Sequence, residues 1–173
     1  VTALAEAFRE QAFHCDALGS PFMARLCTLL ADRLAPGSAL TDRLIAWTGD
    51  IGPRGDSLPL RLCGGLHALR LLDRGGLAAV YPPRAVADDA LWNAVAGALR
   101  EEEPFLMGWV DLPPQTNEVR RSVSLIPLGH WLADRYGLPI TTSELGASGG
   151  LNLRWDRYGL RAGETMFGPD DPA

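Results

Sequence analysis

Five leucines, at positions 58, 62, 66, 69 and 72, recur at the three- and four-residue spacing of one helical face, and similar stripes run through the chain as far as residue 137. Such a pattern buries itself by packing helix on helix. Leu4, Phe8, Ala12 and Cys15 make the first stripe. Ser20-Pro21 then supplies a capping hydroxyl followed by a proline at the first helical position. Met23, Leu26, Leu30 and Leu34 continue to Pro36-Gly37, and a shorter helix is expected from about Thr41 to Trp47. Residues 49–57 read as a loop. The leucine-rich helix from Leu58 carries Gly64-Gly65 in its middle, which weakens a helix by about 1 kcal/mol per glycine relative to alanine. Close crossing by another helix would compensate, so Cys63, Gly64, Gly65 and His67 are read as a packing face, with ligand contact the alternative. Leu77 to Tyr81 suggests a short strand, Asp88 or Asp89 opens a helix with Leu91, Trp92, Val95 and Leu99 inward, and Glu101 to Glu103 with Pro104 form the acidic, solvated first turn of another.

The period changes at residue 138. Leu138-Pro139-Ile140-Thr141-Thr142-Ser143-Glu144-Leu145 has the β-branched content of a strand, with proline acceptable only at its start. A turn of small residues, Gly146-Ala147-Ser148-Gly149-Gly150, follows directly, then Leu151-Asn152. Strand, acid, glycine turn and helix is an arrangement that holds nucleotide-type cofactors, because glycines let the backbone present its N–H groups to a ligand. Upstream, Pro113-Pro114-Gln115-Thr116-Asn117-Glu118-Val119-Arg120-Arg121-Ser122 concentrates amide, hydroxyl, carboxylate and guanidinium groups at a helix start. Thr116 or Asn117 suits the cap and Glu118 the first turn, while Gln115 and the paired arginines leave room for a polar ligand. Pro127 should kink or split the following helix before it ends near Tyr136-Gly137.

Charge excludes one class of partner. With 21 acidic against 16 basic residues the chain is anionic, whereas nucleic-acid binding needs clustered cations. No apolar run approaches the roughly 20 residues of a membrane span, and Glu6, Arg9 and Glu10 interrupt any signal-peptide core, so a cytoplasmic location is expected. Cys15, Cys27 and Cys63 are odd in number and sit in apolar helical patterns, as reduced buried thiols do. His14, His67 and His130 are scattered without zinc-site spacing, and no metal is expected.

The glycine turn is not a dinucleotide fingerprint: counted from Gly146, serine and leucine stand where the second and third glycines belong. A P-loop is excluded by the lack of lysine. A carboxylate at Glu144, about 5 Å from a bound phosphate, would repel it by about 3 kcal/mol at an effective dielectric of about 20. The same carboxylate attracts a cation. S-adenosylmethionine carries a sulfonium and an ammonium, and the order Glu144, Gly146, Ser148, Gly150 resembles the first motif of class I methyltransferases, with serine at one usual glycine. A wider resemblance covers most of the chain. Leu62-Cys63-Gly64-Gly65-Leu66-His67-Ala68-Leu69, the Pro114 to Glu118 segment, and Glu144 to Leu153 with Asp156-Arg157-Tyr158 are similar to the bacterial family called domain of unknown function 2332. That resemblance implies relatives considerably longer than this chain and no particular reaction.

The expected fold is a predominantly α-helical region over residues 1–137, joined to the first strand and glycine turn of a Rossmann-like α/β domain over 138–173. Glu164 lies at the distance of a ribose-binding acid, yet residues 151–173 show no convincing second strand, so an N-terminal fragment is expected. The functional expectation is an S-adenosylmethionine-dependent methyltransferase-like protein: Glu144, Gly146, Ser148, Gly149, Gly150 and Asn152 hold the cofactor, and Gln115, Asn117, Glu118 and Arg121 face the acceptor. The competing expectation is a non-catalytic helical binding or assembly module, compatible with a homo-oligomer, in which the glycine turn is structural. A serine-nucleophile hydrolase has no G-x-S-x-G elbow to support it.

Overall fold

The computed structural model describes residues 2–115, 118–169 and 171. The chain divides into two compact units, residues 1–114 and 115–173.

The first unit is helical throughout. Thr2 caps α1 (Ala3–Ala17), its hydroxyl accepting the Ala5 N–H at 3.2 Å, and the helix buries Leu4, Ala7, Phe8, Ala12 and Cys15. Pro21 begins α2 (Pro21–Arg33), where its missing N–H removes no helical bond, and this helix packs along α1. A capping box of Ser38 and Thr41 starts α3 (Ala39–Ile45). The most apolar helix, α4 (Leu58–Leu71), has Leu58, Leu62, Leu66 and Leu69 fully buried, whereas Leu72 lies just past its end and is exposed. Two further helices, α5 (Asp88–Glu101) and α6 (Glu103–Trp109), contribute Leu91, Val95, Ala98, Leu99 and Leu106 to the same core.

The paired glycines of α4 do what their position requires. A Cβ on Gly65 would lie 2.8 Å from Leu106 Cδ2 and 3.1 Å from the Trp109 ring, and one on Gly64 would stand 3.3 Å from Trp109 Nε1. The two glycines admit α6 at a distance no alanine allows, and that packing offsets their poor helix propensity. Residues 77–81 depart from expectation. They form a 3-10 turn, Leu77–Ala79, with Leu77, Val80 and Tyr81 buried: a 77/80/81 spacing suits one helical turn, and no strand lies beside it to complete a ladder. The acidic run is not simply solvated either. Glu102 pairs with Arg74, and Glu103 Oε1 accepts the Leu40 N–H at 2.8 Å, satisfying an open donor in the first turn of α3.

In the second unit a 3-10 turn, Val119–Arg121, leads into α7 (Ser122–Tyr136), which Gly137 ends in the left-handed conformation at φ 63°. Pro127 sits inside α7 without splitting it. The carbonyl it leaves unpaired is that of Val123, an exposed residue, so the loss falls at the solvent side.

From residue 138 the expected fold is overturned. Residues 138–145 form no strand, Leu138, Ile140 and Leu145 are exposed, and the glycine turn is followed by a 3-10 segment, Leu151–Arg157, in place of an α-helix. Among the described residues the sole sheet is a hairpin of β1 (Leu160–Ala162) and β2 (Thr165–Phe167), antiparallel, with Leu160 opposite Phe167 and Ala162 opposite Thr165. A Rossmann-like domain requires parallel strands joined by a crossover helix, so the chain is mostly helical with a small hairpin and not the opening of an α/β sheet. The inference of a fragment rested on that unfinished sheet and loses its support with it. β-branched composition favours a strand only where a neighbouring edge exists, and residues 138–145 have none. Glu164 stands in the hairpin connection, not at the end of a parallel second strand. Among the described residues, no helix is long and apolar enough to cross a membrane.

Candidate functional site

The second unit contains a cavity of about 410 Å³ lined by Arg121, Leu125, Thr142, Ser143, Glu144, Asn152, Leu153 and Trp155. Its polar residues are linked in a row. Ser122, almost fully buried at the start of α7, donates to Asn152 Oδ1 at 3.0 Å, and Asn152 Nδ2 donates to Glu144 Oε1 over a long 3.4 Å. Glu144 Oε2 is buried and has no hydrogen-bond partner among the described residues. A buried carboxylate oxygen left without a donor costs about 1–3 kcal/mol or more, so this atom stores a demand for a cation or an N–H group. Arg121, on the cavity wall, makes no ion pair among the described residues. Glu144 and Arg121 thus both line the cavity, and Leu125, Leu153 and Trp155 add apolar surface.

Chain geometry explains how these residues meet. The left-handed conformations of Gly146, Ser148 and Gly150, at φ 68°, 51° and 70°, reverse the chain after Glu144 and return Asn152 to it eight residues later. Only glycine adopts such angles without steric penalty, and Ser148 stands there at a cost of about 1–3 kcal/mol. Tyr158 fastens the far side, its hydroxyl donating to the Leu151 carbonyl at 2.8 Å. Trp155 reaches its position because Gly129 in α7 has no side chain: a Cβ there would overlap the indole ring outright.

The sequence-selected residues are distributed as follows. Glu144, Asn152 and Arg121 line the cavity together. Ser148 lies beside it in the turn and donates to Gln115 Oε1 at 3.0 Å, joining the two polar segments picked out from sequence. Gly146, Gly149 and Gly150 belong to the turn and not to the cavity wall. Glu118 folds back on its own backbone, accepting the Arg120 N–H at 2.9 Å, so it caps the 3-10 turn and is not among the residues lining this cavity. Asn117, with Thr116, lies outside the described residues. Sequence reasoning missed Leu125, Thr142, Ser143, Leu153 and Trp155 as wall residues and Ser122 as the anchor of Asn152. A signal for Trp155 existed: Gly129 in mid-helix demands a close neighbour by the same reasoning that applies to Gly64-Gly65.

The remaining candidates fall in the first unit. The three cysteines are free and buried, and no cluster of three or more His, Cys, Asp or Glu side chains is arranged to hold a metal among the described residues.

A helical chain with a small, mainly apolar cavity that carries a few polar groups beside a glycine turn is the class that the fold and site define. The model of the family described as "Uncharacterized protein conserved in bacteria (DUF2332)" matches residues 5–173, and the chain belongs to that family. No curated protein and no solved structure matches it.

Proposed function

We propose that the second unit binds a small zwitterionic molecule, its cationic group on Glu144 and its carboxylate on Arg121, and that this molecule is S-adenosylmethionine serving as a methyl donor. The observation that carries the reading is the buried Glu144 Oε2, which has no partner among the described residues, at the wall of a cavity whose volume falls in the usual range of small-molecule sites. An ammonium or sulfonium about 4 Å from that oxygen gains on the order of 4 kcal/mol at an effective dielectric of about 20, before desolvation is counted. A guanidinium takes a carboxylate through two parallel hydrogen bonds, which fits Arg121 to the other end of an amino acid. Leu125, Leu153 and Trp155 offer surface for the apolar part of the ligand. This reading no longer leans on a Rossmann strand. It rests on charge placement alone.

Bound there, S-adenosylmethionine would supply an electrophilic methyl group, and Glu144 and Arg121 would hold its charged end while an acceptor meets that methyl. The step needs alignment more than a protein nucleophile. The test is titration calorimetry of the intact chain with S-adenosylmethionine and with S-adenosylhomocysteine, which lacks the sulfonium. Binding is expected to weaken about tenfold or more in Glu144→Gln and Arg121→Ala, a loss of roughly 1.4 kcal/mol each. Absence of any heat at millimolar ligand overturns the proposal, and a defined oligomer by light scattering in that case favours the assembly module instead.

A further inference from the structure

The core of the first unit contains a sulfur pair that its packing alone does not require. Cys27 in α2 and Cys63 in α4 face each other with their sulfurs 3.8 Å apart, both essentially without solvent contact and separated by 36 residues of sequence. The two thiols are not equivalent. Cys63 hydrogen-bonds to Cys27, which holds the Cys27 thiol below its ordinary value against the opposing effect of burial. The same hydrogen bond, reinforced by burial and by the neighbouring negative charge, pushes the Cys63 thiol well up. One sulfur is therefore the better nucleophile and the other holds the proton. Cys15, near the end of α1, also interacts with Cys27 and accepts a hydrogen bond from Gln11 Nε2 at 3.4 Å.

A second observation marks the same place. The hydroxyl of Tyr81, a fully buried side chain, has no hydrogen-bond partner among the described residues, although a buried phenol normally finds one. Burial above all, followed by the charge on Cys63 and Cys27, drives its ionisation far above the ordinary range, so it stays a neutral donor within electrostatic reach of both sulfurs. His67 stacks on the Tyr81 ring at 6.3 Å and Phe22 lies 4.7 Å from it, which fixes the ring in place.

We propose that Cys27 and Cys63 form a reversible disulfide, with a hydroperoxide as the oxidant, and that Tyr81 is a positioning residue for this oxidation. The Cys27 thiolate attacks the distal oxygen of the peroxide, breaking the O–O bond; Cys27 becomes a sulfenic acid and the leaving oxygen departs as water after taking up the proton lost by the thiol. The Cys63 sulfur then attacks Cys27, expelling the sulfenic oxygen as a second water with the Cys63 proton. Two thiols and one hydrogen peroxide thus give one disulfide and two waters, the sulfurs together losing two electrons. Closing the pair shortens the 3.8 Å contact to about 2.05 Å, and burial restricts the oxidant to small molecules.

The experiment is treatment of the intact chain with hydrogen peroxide, followed by alkylation in denaturant and peptide mass mapping. The expected product has lost the mass of two hydrogen atoms, contains a Cys27–Cys63 cross-link, leaves Cys15 alkylated, and returns to three alkylated thiols after dithiothreitol. Cys15→Ser should still give the Cys27–Cys63 cross-link, and Tyr81→Phe should slow cross-linking several-fold while leaving circular dichroism and melting temperature near wild type. A cross-link that includes Cys15, or three free thiols after oxidation that does convert an exposed methionine to its sulfoxide, overturns the proposal. An unaltered rate in a folded Tyr81→Phe variant removes Tyr81 from it.

Discussion

The two units use the same chain chemistry in opposite ways. In residues 1–114 apolar side chains from six helices close on one another, while among the described residues of 115–173 Ile126 is the one apolar side chain of the buried set and Ser122 and Asn152 are buried as well. The first unit matches its most buried guanidinium internally: Arg61, with a side chain only 10% exposed, donates to the Asp56 carboxylate and to the carbonyls of Asp56, Val110 and Asp111, although the buried Tyr81 hydroxyl has no partner among the described residues. Among the described residues, the second leaves a carboxylate oxygen without a donor and an arginine without an acid. Apolar packing carries the first unit, and the second keeps unmatched charge available to a ligand.

The largest expected effect tests that division directly. Leu66→Ala removes a fully buried side chain of α4 and should cost about 2–5 kcal/mol in urea unfolding, whereas Leu145→Ala, whose side chain is wholly exposed in the second unit, should stay within about 0.5 kcal/mol. Equal losses would break the comparison.

A glycine pair sharpens it. Gly65→Ala gains about 1 kcal/mol of helix propensity but drives a Cβ into Leu106 and Trp109, so a net loss of about 1–3 kcal/mol is expected from overpacking. Gly129→Ala should act on the other unit: it displaces Trp155 from the cavity wall, which is visible as an altered tryptophan emission spectrum with the main unfolding midpoint little changed. A shift of that midpoint as large as the one from Gly65→Ala would show that the two units do not unfold separately.

Asn152→Ala comes next. It strands the Ser122 hydroxyl and removes the Asn152 amide that donates to Glu144, a local cost of about 1–3 kcal/mol. Hydrogen exchange should quicken across residues 144–158 and remain unchanged in α1 to α6.

What was legible in the sequence follows the same divide. Stripes such as Leu58/Leu62/Leu66/Leu69 give α1, α2, α4 and α5 almost to their ends, because a helix satisfies its backbone locally and needs only one apolar face. Residues 138–145 misled because a strand is defined by a partner, which local composition cannot supply. Leu77 to Tyr81 misled for the same reason. At the cavity, Glu144 and Asn152 were visible as chemistry flanking a glycine turn, but Trp155 and Leu125 enter through packing around Gly129 and α7, a relation spread over some thirty residues.

The smallest expected effect lies back in the first unit, at a surface contact that the acidic run Glu101 to Glu103 did not reveal. The Leu40 N–H, aided by the Ser38 hydroxyl, holds the Glu103 carboxyl below its ordinary value of 4.5. A carboxyl depressed on folding contributes stability that is present above its unfolded value and is lost as pH falls through the folded one. Glu103→Gln keeps an oxygen for Leu40 but cannot titrate, so the variant should unfold slightly more easily at neutral pH and lose less stability than wild type below about pH 4.5. Urea midpoints measured across that range check the sign. Parallel curves for the two proteins would mean that the contact at the start of α3 is not selective for the charged form, and that the first unit's acid sensitivity comes from pairs such as Asp111 with Arg43, whose guanidinium also lowers its acid partner.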